Sequence, residues 1–339
     1  MKKTIISLVL SLTLFGMVKA QDVEFRFQAG TIMAGAPKTQ MESNISKTLS
    51  MLNTAGHKGD TLLIIPKGIM TTDAEKALNA FWGNMHFVID DEVVIQRCLN
   101  SSYGYEVRQI PITLIPLDDS FNGNKERELA ISLNYTGKIT GVVMSLNDNE
   151  VRTFLNGGIG VTDVSRRMEI LNFVEKFRQY YVEKNINELD KIFAEDALII
   201  SGTVIKQQTM PSMLETPELK VKYRREDKEQ YLTRLANSIF KYNKYIDVKF
   251  DRISIVRCGA DGKENFYGVT LHQDWSSIRY NDTKATAERP SYHDEGWLFL
   301  LWEFHDDGTP PVIHVRTWQP DELIASGVSV IDLFDFEGF

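Results

Sequence analysis

The residues best suited to acid–base chemistry lie in the last third of the chain, on segments that alternate as β-strands do. His272 and Asp274 are two residues apart, and His314 and Arg316 repeat that spacing further on. Because side chains two apart in a strand point to the same face, each pair projects together. A histidine held by a carboxylate can act as a general base. The pattern predicts a polar pocket, and its candidate ligand-binding residues are Tyr181, His272, Asp274, Trp297, Glu303, His314 and Arg316.

The opposite faces of these strands leave a second interpretation open. Leu271, Trp275, Ile313 and Val315 occupy the alternate positions and have the character of core residues. If they line the core, the polar residues lie on the outer surface of the sheet as cross-strand charge pairs. No ligand spacing typical of a metal centre accompanies them, so the sequence predicts no metal, no cofactor and no assigned catalytic residue.

These strands need a partner layer, and an amphipathic helix beginning near Ser165 supplies one. Its apolar residues recur at helical spacing, and they are Ile170, Phe173, Val174, Phe177, Tyr180 and Tyr181. A short helix ending near Phe193, an apolar strand and a third helix at Glu229–Tyr242 follow. The remaining strands come last, and they are Ile246–Arg257, Phe266–Ile278, Gly296–Phe304 and Val312–Trp318. The pattern predicts an antiparallel sheet packed on three helices.

The order of these elements, together with the segment Glu188–Gly202, resembles the nuclear transport factor two-like (SnoaL-like) superfamily over about residues 160–320. The resemblance implies a curved sheet wrapped around three helices into a cone. The superfamily hosts isomerases, dehydratases and cyclases as well as many non-catalytic binding or assembly domains, so the resemblance does not decide activity. Its steroid isomerases place a catalytic aspartate near the position of Ser201 and an oxyanion-stabilising tyrosine on the first helix, where Tyr180 and Tyr181 lie. A tyrosine on an apolar stripe is also an ordinary core residue.

Residues 1–20 have the features of a secretory signal peptide. A basic start is followed by the apolar run Thr4–Met17 and by small residues ending at Ala20. We therefore expect an exported protein, periplasmic or secreted from a bacterial cell, with no stable membrane insertion after cleavage. A net charge of −8 argues against a nucleic-acid partner.

The rest of the chain is predicted to form two domains. Residues 21–155 predict an α+β accessory domain of no recognised family, with a short helix at Asp90–Leu99. Residues 156–161 form a Gly-rich linker, residues 162–320 the superfamily-like domain and residues 321–339 a C-terminal tail. Cys98 and Cys258 fall in different domains, and a bridge or two free thiols are both compatible with the sequence.

The overall prediction is an α+β fold, in which a cone of curved antiparallel sheet on three helices follows a separate α+β domain. The strand Gly296–Phe304 is apolar on both faces, so we expect the N-terminal domain or a second chain to cover the face that the helices leave open. The second case is a homodimer through the C-terminal sheet. Because no catalytic set is complete, we expect an exported, non-catalytic binding or assembly protein for an unidentified small molecule or protein. The alternative is an isomerase, dehydratase or hydrolase of small molecules that uses a His–Asp pair in the cone pocket.

Overall fold

The computed structural model describes residues 22–30, 38–101, 104–116, 125–146, 151, 160–161, 163–205, 220–286, 288–305 and 309–336. The predicted signal peptide and most of the predicted Gly-rich linker lie outside the described residues, so both stay predictions. No helix within the described ranges is long and apolar enough to cross a membrane.

The N-terminal part of the chain packs two helices against two sheets. Its helices are α1 (Lys38–Lys58) and α2 (Thr72–Asn84). Its strands are β1 (Glu24–Phe27), β2 (His86–Val88), β3 (Val93–Gln96), β4 (Leu99–Ser101), β5 (Gly104–Ile115), β6 (Glu126–Asn134) and β7 (Ile139–Met144). β1 pairs in parallel with β3, and the others follow the order β2-β5-β6-β7 with β4 beside β5. The prediction of a helix at Asp90–Leu99 is wrong, because the β-branched run Val93–Ile95 pairs with β1 as a strand.

The C-terminal part is built on one larger sheet. Its first helices are α3 (Val164–Val182), α4 (Ile186–Ile192) and α5 (Lys228–Arg234), and α5 continues as a π-helical turn over Leu235–Phe240. Its strands are β8 (Phe193–Ile205), β9 (Lys220–Glu226), β10 (Asn243–Arg257), β11 (Phe266–Arg279), β12 (Tyr292–Glu303) and β13 (Val312–Pro320). The sheet is 6-stranded, in the order β10-β11-β12-β13-β8-β9. Neighbouring strands are antiparallel except β13 and β8, which run parallel.

The apolar stripe of α3 lies on this sheet. The Phe177 ring stacks on Phe250 with 6.2 Å between ring centroids, and Phe173 lies 6.1 Å from Trp302. These rings belong to one buried cluster that also contains leucines of β11 and β12. The predicted α+β fold, with a sheet wrapped on three helices, is confirmed.

The chain's own C-terminal tail covers an apolar patch on the outer face of the sheet. Leu333 is buried against Phe299 and Leu301 of β12, and the Phe336 ring stacks on Phe299 at 5.1 Å. A Cβ at Gly268 would lie 2.9 Å from the Cβ of Leu333, so this glycine makes room for the tail. The tail, and not the N-terminal domain, therefore covers this patch, and a homodimer through the C-terminal sheet stays a prediction.

A buried ion cluster joins the N-terminal sheet to α3. The guanidinium of Arg108 on β5 binds the carboxylates of Glu106 and Glu175, and it donates to the Ser145 hydroxyl at 3.1 Å. Nearby, the Gln179 side chain accepts a hydrogen bond from the backbone N–H of Met144 at 2.8 Å. The cores on the two sides are separate clusters. The domain boundaries themselves stay predictions, and both cysteines are free thiols.

Candidate functional site

A β-bulge in β13 decides which way Arg316 points. Ile313 pairs with Trp302 and Val315 pairs with Leu301, so His314 has no direct partner across the ladder. One extra residue in a strand exchanges the faces of all the residues that follow it. Arg316 therefore shares the inner face with Ile313, although it lies three positions along the strand.

Arg316 faces a cavity of about 830 Å³ between α5 and the inner face of the sheet. Trp275 of β11, Trp318 of β13 and Tyr231 of α5 provide aromatic walls, and Ser201 of β8 lies at the lining. A Cβ at Gly296 would lie 2.8 Å from the Trp318 ring, so the glycine allows this ring to lie across β12. We call this cavity the cone pocket.

The deep end of the cone pocket contains a small polar cluster. The hydroxyl oxygens of Tyr181 and Tyr231 lie 2.7 Å apart, and the nearby Arg316 guanidinium opposes the rise in the pKa of the Tyr181 hydroxyl. The same guanidinium lies 5.3 Å from the centre of the Tyr231 ring, a cation–π distance. Burial raises the pKa of Tyr181 well above its ordinary value, so its hydroxyl stays protonated at neutral pH.

Three buried polar atoms at this pocket have no hydrogen-bond partner among the described residues. They are Nε of Arg316, Oε1 of Gln273 and Oδ1 of Asn243. All three side chains are deeply buried, at 6%, 4% and 7% exposure. Buried polar groups are nearly always paired, so an unpaired donor and unpaired acceptors in one cavity indicate a site that a ligand completes.

A carboxyl group lies at the mouth of the cone pocket. The Tyr292 hydroxyl donates to Oδ2 of Asp294 at 2.8 Å. Burial raises the pKa of the Asp294 carboxyl, and the Tyr292 hydrogen bond opposes that shift. Asp294 is therefore a carboxyl of the described pocket lining that holds its proton to a higher pH than an exposed aspartate does.

The predicted His–Asp pair lies on the outer face of the sheet. His272 is buried between Asp251, 2.9 Å from Nδ1, and Asp321, 3.0 Å from Nε2. Asp274 contacts His293 at 3.1 Å, and Trp297 packs edge-on against the His272 ring. These residues follow the outer-face interpretation, and the alternative in which the pair serves the cone pocket is wrong.

Glu303 and His314 also lie outside the cone pocket. Nε2 of His314 is 2.8 Å from Oε2 of Glu303, and its Nδ1 is 3.4 Å from Asp196. Of the candidates that the sequence proposed, Tyr181 and Arg316 come together at the pocket and the others do not. Sequence reasoning missed Gln273 as a site residue. Its signal was a polar side chain on the same strand face as Leu271 and Trp275.

The outer face carries the groups that could hold a metal ion. Ligand atoms of His272, Glu295 and Asp321 lie within 4.8 Å of one another, and so do those of Asp274, His293 and Glu295. These groups already pair with one another and with Lys249, and we assign no metal to them.

A second large cavity, of about 870 Å³, lies between the N-terminal sheet and the C-terminal part. Its buried arginine, Arg178, donates to the carbonyl oxygens of Met144 and Ser145, at 2.5 and 3.4 Å. Because the chain itself satisfies this guanidinium, the cone pocket is the stronger candidate for a ligand site.

Known proteins resemble part of this chain in structure only. No family model matches the chain, and no curated protein matches it. A nuclear transport factor 2-like superfamily protein from Salmonella enterica serovar Typhimurium is 12% identical, covering 45% of this chain and 89% of its own at a TM-score of 0.32. ActVI-ORFA from Streptomyces coelicolor is 15% identical, with 46% and 96% covered and a TM-score of 0.31. An NTF2-like protein of unknown function from Pseudomonas putida KT2440 is 9% identical, with 46% and 87% covered and a TM-score of 0.32.

At such identities the likeness concerns the fold alone. Each of these solved structures is matched over roughly half of this chain. The C-terminal part is a 6-stranded sheet packed on helices, with a cavity large enough for a small molecule.

Proposed function

We propose that this protein binds a small, largely apolar molecule in the cone pocket without transforming it. The observation that carries the proposal is the cavity of about 830 Å³, lined by Trp275, Trp318 and Tyr231 and containing unpaired polar atoms. Ligand pockets typically have this size, with apolar walls and a few polar groups that fix orientation.

The positions of the histidines support binding over catalysis. His272 and His314 each have a carboxylate partner, at 2.9 and 2.8 Å, and both lie outside the pocket. No histidine is among the described lining residues of the pocket. The apolar walls of the cone pocket provide a large contact surface for a ligand. Binding requires such a surface, whereas proton transfer alone does not.

Fluorescence titration with pyrenebutanol, a neutral aromatic probe, tests the proposal. Ser238 lies at the pocket lining on an exposed helical surface, and its neighbour Asn237 is exposed but outside the lining. Binding is followed by the quenching of tryptophan fluorescence as energy passes to the bound probe. We expect wild type and Asn237→Trp to bind the probe with similar affinity. Ser238→Trp should weaken binding by about tenfold or more, because its indole occupies the entrance. Absence of binding to wild type, or equal binding to both variants, would contradict the proposal.

A second candidate function is proton transfer on a small molecule, of the isomerase or dehydratase type. Asp294 favours it, because a carboxyl with a raised pKa shares the pocket with the Arg316 guanidinium and with Tyr231, whose hydroxyl lies 2.7 Å from that of Tyr181. Such an enzyme would isomerise a β,γ-unsaturated ketone, with Asp294 as base and Tyr181 as hydrogen-bond donor to the oxyanion. If wild type isomerises the ketone and both Asp294→Asn and Tyr181→Phe lose that activity, the enzyme proposal replaces the binding proposal. If wild type does not isomerise the ketone, the enzyme proposal is wrong.

We also propose that the protein acts outside the cytoplasm. The support is the sequence of residues 1–20, with its basic start, apolar run and small residues before Gln21. Expression in a bacterial host followed by N-terminal sequencing of the periplasmic fraction tests this, with Gln21 expected as the first residue. Retention of Met1 in the cytoplasmic fraction would refute it. Self-association through the C-terminal sheet stays a prediction, and sedimentation of the full chain measures it.

A further inference from the structure

We propose that the ligand of the cone pocket carries a carboxylate that binds the Arg316 guanidinium. This inference rests on the proposed function, since it names the chemistry of the molecule that the pocket holds. The carboxylate would lie at the deep end of the pocket, against Arg316 and beside the Tyr181 and Tyr231 hydroxyls.

The first argument is the electrostatic state of Arg316. Its guanidinium stays charged at any physiological pH, and it is 6% exposed. Burying a cation costs several kcal/mol unless an anion or a full set of acceptors compensates it. Among the described residues, its neighbours are the Tyr181 hydroxyl and the Tyr231 ring, neither of which carries charge. Glu226 attracts it without a salt bridge, and its Nε has no hydrogen-bond partner.

Another buried arginine of this chain has its charge compensated by carboxylates of the chain itself. Arg108, 4% exposed, binds the carboxylates of Glu106 and Glu175. Arg316 differs because its own chain supplies no comparable anion among the described residues.

The acidic groups nearest to the pocket are already engaged. Glu226 holds Arg234 in a bidentate pair, with oxygen–nitrogen distances of 2.7 and 2.6 Å. Asp294 lies at the mouth and accepts the Tyr292 hydroxyl. Glu226 therefore attracts Arg316 without binding it, and the ligand would supply the anion that binds the guanidinium directly.

The second argument concerns what kind of anion fits. A carboxylate presents two oxygens to the planar donors of a guanidinium, so it can use the unpaired Nε together with an adjacent Nη. Its single charge matches one buried cation. The walls formed by Trp275 and Trp318 favour an apolar body behind the carboxylate. Gln273 adds a separate acceptor on β11, which a hydroxyl or amide N–H of the ligand would satisfy.

A matched pair of probes tests the inference. Pyrenebutyrate and pyrenebutanol share the same aromatic body and differ in the terminal carboxylate. Binding of both is measured to wild type and to the variants Arg316→Met, Arg316→Lys and Arg279→Met. Arg279 is the control, because it lines the same pocket but is exposed to solvent.

We expect wild type to bind pyrenebutyrate about tenfold or more tightly than pyrenebutanol, as a charge-assisted hydrogen bond in a buried site implies. Arg316→Met should abolish this preference, so that it binds the two probes with equal affinity, and its far-UV circular dichroism spectrum should match that of wild type, which shows that the variant is folded. Arg316→Lys should retain part of the preference, and Arg279→Met should retain all of it. Equal affinity of wild type for the two probes, or a preference that survives Arg316→Met, overturns the inference while the binding function stands. Failure of both probes to bind overturns the proposed function with it.

Discussion

The phenolic oxygens of Tyr181 on α3 and Tyr231 on α5 lie 2.7 Å apart, so the first and third helices of the cone are joined at the deep end of the pocket. Both side chains are nearly fully buried, and the Arg316 guanidinium of β13 lies over the ring of Tyr231. Helix packing and pocket polarity therefore depend on the same hydroxyl groups.

The Tyr181–Tyr231 contact should appear as a coupling energy. Tyr181→Phe and Tyr231→Phe each leave the partner hydroxyl without one hydrogen bond, so each should lower the free energy of unfolding by about 1–2 kcal/mol. The double variant should lose less than the sum, with a coupling of about 1 kcal/mol. Urea unfolding of the single and double variants measures it. The neighbouring Tyr180→Phe, combined with Tyr231→Phe, provides the control and should be additive. Additivity of Tyr181→Phe with Tyr231→Phe would show that the contact stores no energy.

The buried cluster around Arg108 should make a large contribution to stability. Burial raises the pKa of Glu106, while Arg108 holds it down. Arg108→Met leaves the carboxylates of Glu106 and Glu175 facing each other without a cation, so we expect a loss of about 3–5 kcal/mol. Adding Glu106→Gln and Glu175→Gln should restore much of that loss, because the uncompensated charges are gone. Arg26→Met removes an exposed pair with Glu24 and should leave the urea midpoint unchanged. A small effect of Arg108→Met would mean that the carboxylates become protonated at little cost.

The tail residue Leu333 should stabilise the cone through the outer face. It is 3% exposed against Phe299 and Leu301, whereas the adjacent Phe334 is 73% exposed. Leu333→Ala should cost about 2–4 kcal/mol by leaving a cavity, and Phe334→Ala should cost little although it removes a larger side chain. Thermal unfolding of both variants distinguishes them. Equal midpoints of thermal unfolding for the two variants would show that Leu333 is not buried against Phe299 and Leu301.

A pH-dependent contribution should come from Glu183 at the end of α3. Burial raises the pKa of this carboxyl to about 7, against hydrogen bonds from Gln179 and Asn185 that lower it. A carboxyl with a raised pKa binds more protons in the folded state. Its stabilisation is therefore complete below the ordinary value of 4.5 and is lost as pH rises towards 7. The difference amounts to about 3 kcal/mol.

Glu183→Gln should therefore flatten the fall in the free energy of unfolding between these pH values. Urea unfolding across the range measures the slope, and the exposed Glu229→Gln should keep the wild-type slope. A wild-type profile that rises with pH in this window and is unaffected by Glu183→Gln would show that Glu183 titrates like an exposed carboxyl.

Much of the cone was predictable because its signals are local. The stripe of α3 has helical spacing, and Phe177 indeed packs on Phe250. Alternation in β11 also correctly separated Leu271 and Trp275 from His272 and Asp274. The prediction of a helix at Asp90–Leu99 was wrong because it relied on the acidic residues at the start of the segment. The β-branched residues that follow them pair instead with β1, which is far away in the sequence.

The sequence alone determined most of the helices and strands and which face of each is apolar, because hydrophobic periodicity depends on residues that are close together in the sequence. What only the tertiary structure decided is which polar groups meet. The bulge at His314 turned Arg316 inward, and alternation counted from Ile313 had placed it outside. Leu333 of the tail packs on the outer face of the sheet, which the N-terminal domain or a second chain was expected to cover, and Gly268 leaves room for it. Both outcomes depend on pairing between residues far apart in the chain, and such pairing leaves no periodic trace in the sequence.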